Sequence, residues 1–281
     1  MTNSGLPLVS VLVPVWNVEK YIERCARSIF EQTYDNLDII FVNDQTPDNS
    51  IQILERIITE YPNREKQVRI IHHKTNRGLS AARNTAVDAC KGDFIFHVDS
   101  DDWVEVKAIE LLMKKQIETN ADIVTGKAYT YLGFGFFEYS DGGTQLEKNQ
   151  ILVALLDGTI SHSIWRRLIR CSLYKSYGIK SVEGVNVCED FQVMVPLFYY
   201  STIVAGIPDF IYNYNRMNEN SFVNNILLDE KLQDQYLKSL LLIDYFLKDK
   251  ELIYQEIIEK RKIIFYKTLM SWAVFKGNKK R

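Results

Sequence analysis

No run in this chain of 281 residues is apolar and long enough to span a membrane. No charged segment followed by an apolar stretch marks a secretory leader at the Met-Thr-Asn-Ser-Gly start. The expectation is therefore a protein made and kept in the cytoplasm. Cysteine is sparse. Cys25, Cys90, Cys171 and Cys188 are far apart and form no CxxC pair, so reduced, mostly buried thiols are the simplest reading. Neither sign of charge dominates: 34 Lys and Arg meet 36 Asp and Glu, a net charge of −2, and nothing in that balance points to nucleic acid. The stretch after the first apolar run is Pro14-Val15-Trp16-Asn17, where a glycine-rich phosphate loop with a basic residue is missing.

What is present is an ordinary apolar share, 46%, arranged in a repeating order. Leu8 to Val15 is almost continuously apolar, as a central strand covered on both faces would be. Pro14 cannot donate to a ladder, so this strand is expected to end there. A helix follows from Val18 to Gln32, with Val18, Ile22, Cys25 and Ile29 spaced by three and four. Leu37 to Val42 and Val68 to His72 read as further strands. Asp48, Asn49 and Ser50 offer a helix start between them. Ala81 to Ala89 is a small-residue helix that can pack close to a sheet. Strand and helix alternate through roughly the first hundred residues at βαβ spacing, predicting an α/β, mostly parallel sheet with helices on both faces.

The chain is organised around Asp93-Phe94-Ile95-Phe96-His97-Val98-Asp99-Ser100-Asp101-Asp102-Trp103. An apolar strand ends in Asp99, Asp101 and Asp102, and carboxylates so close together need a counter-ion. All-oxygen ligands favour Mg²⁺ or Mn²⁺. The plain alternative is a turn capping a helix from Trp103 to Glu118. Two features favour the metal. The cluster lies at the carboxyl end of a strand, where open α/β sheets bind ligands. A second acidic pair, Glu189-Asp190, precedes another helical pattern. The loops carrying Trp16-Asn17-Val18-Glu19, Asn43-Asp44 and Asp99-Ser100-Asp101 should converge on one crevice. His97 reads as a core histidine. His72 and His73 end a strand with no carboxylate at ligand spacing, and no histidine is assigned to metal.

Ala121 to Tyr131 reads as a strand, and Gly133-Phe134-Gly135-Phe136-Phe137 as a hairpin or loop before a turn at Asp141-Gly142-Gly143. For Arg166, Arg167 and Arg216, surface ion pairing is the plain reading and phosphate contact the sharper one. Two helical stripes close the chain, one from Leu228 to Leu247 and one from Glu251 to Phe275. Lys260 to Arg281 is basic without an acid. A solvated face is the plain reading. The sharper one is an in-plane contact at the inner face of a membrane, with Ile263, Phe265, Leu269, Trp272 and Phe275 beside the basic residues.

Residues 7–104 resemble the nucleotide-sugar-binding half of a family 2 glycosyltransferase of GT-A, Rossmann-like fold. The matching stretches are Val9-Ser10-Val11-Leu12-Val13-Pro14-Val15-Trp16-Asn17, Ile39-Ile40-Phe41-Val42-Asn43-Asp44, Asn76-Arg77-Gly78-Leu79-Ser80-Ala81-Ala82-Arg83-Asn84 and Val98-Asp99-Ser100-Asp101-Asp102. The match continues more loosely through Trp165, Glu189-Asp190 and Tyr214 to Ser221. Trp16 stands where tyrosine is more usual, Asn43 for a common aspartate and Gln45 for a common glycine. The resemblance implies a nucleoside-diphosphate sugar donor, with UDP the expected nucleotide, and a glycan or lipid-linked acceptor of a bacterial cell-surface polysaccharide. It implies that Pro14, Val15, Trp16 and Asp44 line the base and ribose, with Asn17, Glu19 and Ser100 beside them. It also implies that Asp99 and Asp101 form the DxD-type pair for ribose and metal. Arg83 and Arg216 would lie near the diphosphate, and Asp190, with Glu189 as neighbour, would be the base.

The chemistry is coherent from below. A carboxylate at a helix start is held ionised by the backbone dipole and can accept the acceptor hydroxyl's proton. One base without a covalent nucleophile implies a single displacement with inversion. The expected division is a catalytic domain over 1–225 and a helical extension over 226–281. A nucleotidyltransferase is a second reading, disfavoured by Pro14-Val15-Trp16-Asn17. A non-catalytic nucleotide-sugar-binding protein is the third, disfavoured by the presence of both Asp101 and Asp190.

Overall fold

The structure is a computed structural model and describes residues 5–139, 147–218 and 229–278, with side chains to residue 268. The expected turn at Asp141-Gly142-Gly143, Ser221, and the side chains of Leu269, Trp272 and Phe275 lie outside the described residues.

The elements run β1 (Val9–Val15), α1 (Ile22–Phe30), β2 (Leu37–Asn43), α2 (Ser50–Glu60), α3 (Pro62–Glu65), β3 (Val68–His72), α4 (Leu79–Ala89) and β4 (Phe94–His97). There follow β5 (Trp103–Val104), α5 (Ala108–Thr119), β6 (Ile123–Tyr131), β7 (Phe136–Tyr139), α6 (Lys148–Asp157), β8 (Arg167–Arg170) and α7 (Cys171–Tyr177). The last are α8 (Glu189–Tyr200), β9 (Val204–Asn215), α9 (Glu230–Leu247) and α10 (Leu252–Asn278).

One sheet runs in the order β3-β2-β1-β4-β8-β6-β9-β5, with β7 paired on β6. The first half, β3-β2-β1-β4, is parallel throughout. The second half is mixed: β8 is antiparallel to β4 and β6, while β6 and β9 are parallel. The chain moves outward from β1 to β2 and returns to the other side of β1 for β4. That reversal opens a crevice at the carboxyl ends of β1, β2 and β4.

Alternation explains the unbroken apolar strands. Val9, Val11, Val13 and Val15 enter one core with Ile39, Phe41 and Phe96, against α1, α2 and α5. Leu12 enters the other with Ile40, Val42 and Ile95, against α4, α6 and α8. Each large side chain so buried contributes about 1.5–3 kcal/mol. The C-terminal helices share this second core through Leu240, Ile243, Leu247, Tyr254 and Ile258.

Three boundaries differ from expectation for physical reasons. β1 does not end at Pro14 but runs to Val15. The Leu12 carbonyl accepts from Val98 N–H, so Pro14, two residues on, faces the β4 side beyond the last β4 pair, where no donor is needed. α1 starts at Ile22 because Val18 to Tyr21 forms a turn, with Tyr21 and Ile22 N–H both on Val18 O. Trp103 opens a short strand rather than a helix, since Trp103 and Val104 pair with Asn213 and Tyr212 of β9; α5 begins only at Ala108. The aromatic stretch after β6 is a hairpin, with Tyr131 opposite Phe136.

Candidate active site

The tips of β1 and β2 are laced together. Asn17, in the left-handed region at φ 56°, donates its N–H to Thr46 Oγ1 at 2.8 Å. Glu19 donates its N–H to Asp48 Oδ2 at 2.8 Å, and its carboxylate accepts from the Asn49 N–H and side chain. Asn17 and Glu19 thus brace the rim. Pro14 and Val15 are buried beneath it, and the Trp16 ring is 47% exposed.

Asp44, just past β2, is buried and accepts from the N–H groups of Arg77 (2.8 Å) and Gly78 (2.7 Å). Those amides lead into α4. Gly78 has φ +87°, and a Cβ there would lie 2.5 Å from Asn186 Nδ2, so only glycine lets the 181–188 loop close over the helix start. One turn into α4 stands Arg83, almost wholly buried.

Arg83 gathers the acidic residues. Its Nη2 donates to Asp99 Oδ1 at 2.7 Å, and its Nη1 contacts both Glu189 and Asp190. Burial alone would lower its pKa; Asp190, Asp99 and Glu189 reverse this and hold it well above the ordinary value. The second Asp190 oxygen accepts from Ile164 N–H at 3.0 Å. Glu189 and Asp190 occupy the first turn of α8, where the helix dipole favours negative charge. Beside Ile164, Trp165 stacks on Tyr212 and Tyr214 at 4.6 and 5.3 Å.

The three aspartates after β4 part company. Asp99 is a quarter exposed, and burial raises its pKa against the pull of Arg83. Asp101 accepts from Asn218 Nδ2 at 2.8 Å and is pushed up to about 6, first by burial and then by Asp99. Asp102 is fully buried, accepting from Tyr212 OH at 2.8 Å and Asn215 N–H at 2.7 Å. It caps no helix; it anchors the acidic turn to β9. The same Tyr212 oxygen accepts from Asp99 N–H at 3.0 Å.

The crevice is therefore short of positive charge. Asp99, Glu189 and Asp190 share the single guanidinium of Arg83, and Asp101 is met by the neutral amide of Asn218. Among the described residues no three Asp, Glu, His or Cys side chains form a ready cage for a metal ion. The donor set nonetheless fits a hard divalent cation held by one or two carboxylates and completed by phosphate oxygens. Asp101, with Asp99 beside it, is the pair suited to that.

Arg166 and Arg167 are not surface groups: each is 1% exposed. Arg166 Nη1 donates to Gly126 O, and Arg167 Nη2 to Ser161 O. Arg216 is exposed, with its N–H on Tyr131 O. Sequence reasoning missed His73, Tyr212, Asn215 and Asn218, all of which hold acidic residues of the crevice. Tyr212-Asn213-Tyr214-Asn215-Arg216 was visible as a polar, aromatic strand end. Nothing in it marked contact with a turn so far upstream.

The family model described as "Glycosyl transferase family 2" matches residues 10–177, which is more than half of the chain. The chain belongs to glycosyltransferase family 2. It is an enzyme of nucleotide-sugar glycosyl transfer. It is 34% identical over 248 residues to the "Uncharacterized glycosyltransferase EpsJ" of Bacillus subtilis (strain 168), covering 82% of this chain and 68% of that protein. With "Glycosyltransferase GlyA" of Streptococcus pneumoniae it shares 33% identity over 178 residues, 59% of this chain but only 25% of the longer relative. Among solved structures, S. aureus TarS 1-349 in complex with UDP-GlcNAc superposes with TM-score 0.74 at 19% identity, covering 92% of this chain and 72% of that one. The mannosyltransferase PcManGT from Pyrobaculum calidifontis, in complex with GDP-Man and Mn²⁺, gives 0.66 at 14% identity, with 96% and 74% covered. These likenesses establish the GT-A fold of this family 2 chain. No helix among its described residues is long and apolar enough to cross a membrane.

Proposed function

We propose that this glycosyltransferase inverts the anomeric centre as it moves a sugar from a nucleoside-diphosphate donor, with UDP the expected nucleotide, to a hydroxyl of a glycan or lipid-linked glycan. The observation that carries the reading is the Arg83 bridge, which brings the acidic turn after β4 and the acidic start of α8 into one crevice. Asp190 is the base: it takes the acceptor proton as the new O–C bond forms and the bond to the diphosphate oxygen breaks. Pro14, Val15, Trp16, Asn17, Glu19 and Asp44 form the nucleoside side. Asp99 and Ser100 lie toward the ribose, and Arg216 toward the diphosphate. Asp101 with Asp99 would hold Mn²⁺ or Mg²⁺, which when bound neutralises charge on the leaving diphosphate. Relatives solved with UDP-GlcNAc and with GDP-Man and Mn²⁺ support donor and metal alike. Residues 1–225 are the catalytic unit in this reading, with 226–281 as helical extension.

The test is a panel of nucleotide sugars with Mn²⁺, scored by release of nucleoside diphosphate. Release from one donor, faster with acceptor and absent in Asp101→Ala, supports the proposal. No metal-dependent release from any donor in the panel overturns it. Peripheral membrane contact through α10 is proposed from exposed Ile263, Ile264 and Tyr266 with exposed Lys260 and Lys267 of the basic run; Arg261 and Lys262 turn inward, onto Leu155 O and Asp244. Phe265 does not join that face, since it packs on Tyr236 at 4.5 Å. Equal pelleting with anionic liposomes by the full chain and a chain ending at Glu259 would count against the contact.

A further inference from the structure

His73 lies just past β3 and turns back onto the tip of β2. Its Nδ1 is 2.6 Å from Asp44 Oδ1, and its Nε2 is 2.9 Å from Thr85 Oγ1. Both the His73 and the Asp44 side chains are almost fully enclosed. An ionised carboxylate only accepts, so Nδ1 carries the proton shared with Asp44. In the neutral ring Nε2 then accepts from the Thr85 hydroxyl. Thr85 stands on α4, the helix that also carries Arg83. One helix therefore orients both the polar partner of Asp44 and the guanidinium of the acidic crevice.

The donors around Asp44 can be counted. Oδ1 receives His73 Nδ1–H and the Arg77 N–H, while Oδ2 receives the Gly78 N–H. A carboxylate offers about four lone-pair directions, so one remains, on Oδ2. The backbone amides alone come from a single loop, 76–78, and would follow that loop if it moved. His73 opens that same connection, but its own N–H is held on Asn43 O at the tip of β2, so it adds a side-chain donor to the carboxylate from the anchored end of the loop.

We propose that His73 is a positioning residue for donor recognition. It fixes the Asp44 carboxylate so that one acceptor position stays open to an N–H or O–H of the donor's nucleoside. This rests on the reading of Asp44 as a nucleoside contact. Its signature is a change in donor KM with little change in kcat, because Asp44 grips the part of the donor that does not react.

The experiment uses the full chain with Mn²⁺ and UDP-GlcNAc or GDP-mannose, whichever the donor panel finds hydrolysed. His73→Leu removes the donor to Asp44 and should raise donor KM about ten- to hundredfold, the range of a lost charge-assisted hydrogen bond. Its kcat should stay within about twofold. His73→Asn can place an amide N–H near the Nδ1 position and should recover most of the loss. Asp44→Asn should raise KM by itself, and adding His73→Leu to it should cost little more. An unchanged KM in Asp44→Asn overturns the nucleoside reading and the proposal with it. A raised KM in Asp44→Asn with an unchanged KM in His73→Leu keeps that reading and overturns the role of His73. Should His73→Leu fail to fold, Thr85→Val decides, since it severs only the far end of the relay. A severalfold rise in donor KM then supports the proposal, and no rise overturns it.

Discussion

Asp99 and Asp190 are held on different nitrogens of the same guanidinium, Nη2 and Nη1 of Arg83. One carboxylate follows β4 and the other opens α8, yet neither can shift without moving the other's partner. Replacing Arg83 by Met should leave the Asp99 and Asp190 carboxylates without their cation. Breaking a buried ion pair in this way costs about 3–5 kcal/mol. Arg83→Lys keeps the charge but lacks the planar fork, so it can satisfy only one side. Urea unfolding should show Arg83→Met strongly destabilised and Arg83→Lys much less so, while transfer is severely reduced in both. Wild-type turnover in Arg83→Lys would show that the bridge is not needed.

Glu189 gives the crevice a pH signature. Burial pushes it up to about 8, with Arg83 opposing and Asp190 adding to the rise. The native state then keeps a proton that the unfolded chain releases near 4.5. Between those values the native state binds more protons than the unfolded state, so stability falls as pH rises through that window and levels off above it. Glu189→Gln mimics the protonated side chain and should flatten this slope. Urea midpoints measured across the window check it; parallel slopes for the two proteins would contradict the assignment.

Tyr212 links the acidic turn to β9 through a single oxygen, which accepts from Asp99 N–H and donates to Asp102. Tyr212→Phe removes both bonds and leaves a buried carboxylate one donor short. The expected cost is about 1–3 kcal/mol in thermal or chemical unfolding, with a loss of metal-dependent donor binding as the turn loosens. Donor binding unchanged by Tyr212→Phe would show the turn to be held by Asn215 and Asn218 alone.

Local chemistry made half of this site legible. Val9 to Val15 and Phe94 to His97 announce buried strands through composition, and Asp99, Asp101 and Asp190 declare themselves by charge at strand or helix ends. What stayed hidden is pairing across the chain. That Trp103 would form a strand paired with β9 instead of opening a helix depends on a partner more than a hundred residues later. Arg166 and Arg167 looked like solvent-facing cations, yet both are buried, with hydrogen bonds accepted by Gly126 O on β6 and by Ser161 O six residues upstream. His73 carried no ligand spacing because its partner Asp44 precedes it by a whole βαβ crossover.

The roles of Asp190 and Asp101 separate most cleanly. Asp190→Asn keeps nearly the same volume and one acceptor oxygen, which can serve Arg83 or the Ile164 N–H but not both, and its amide cannot take the acceptor proton. Donor binding should therefore remain, while transfer falls by about 10²–10⁴, the usual contribution of a general base. Asp101→Ala should do the reverse. Its carboxylate touches Asn218 but neither Arg83 nor the helix start, so donor affinity should lose its dependence on Mn²⁺ while the Arg83 bridge survives. Calorimetric donor titrations with and without Mn²⁺, alongside acceptor-dependent turnover, distinguish the two. Normal transfer by Asp190→Asn would remove the proposed base, and Mn²⁺-dependent donor binding by Asp101→Ala would remove the proposed metal ligand.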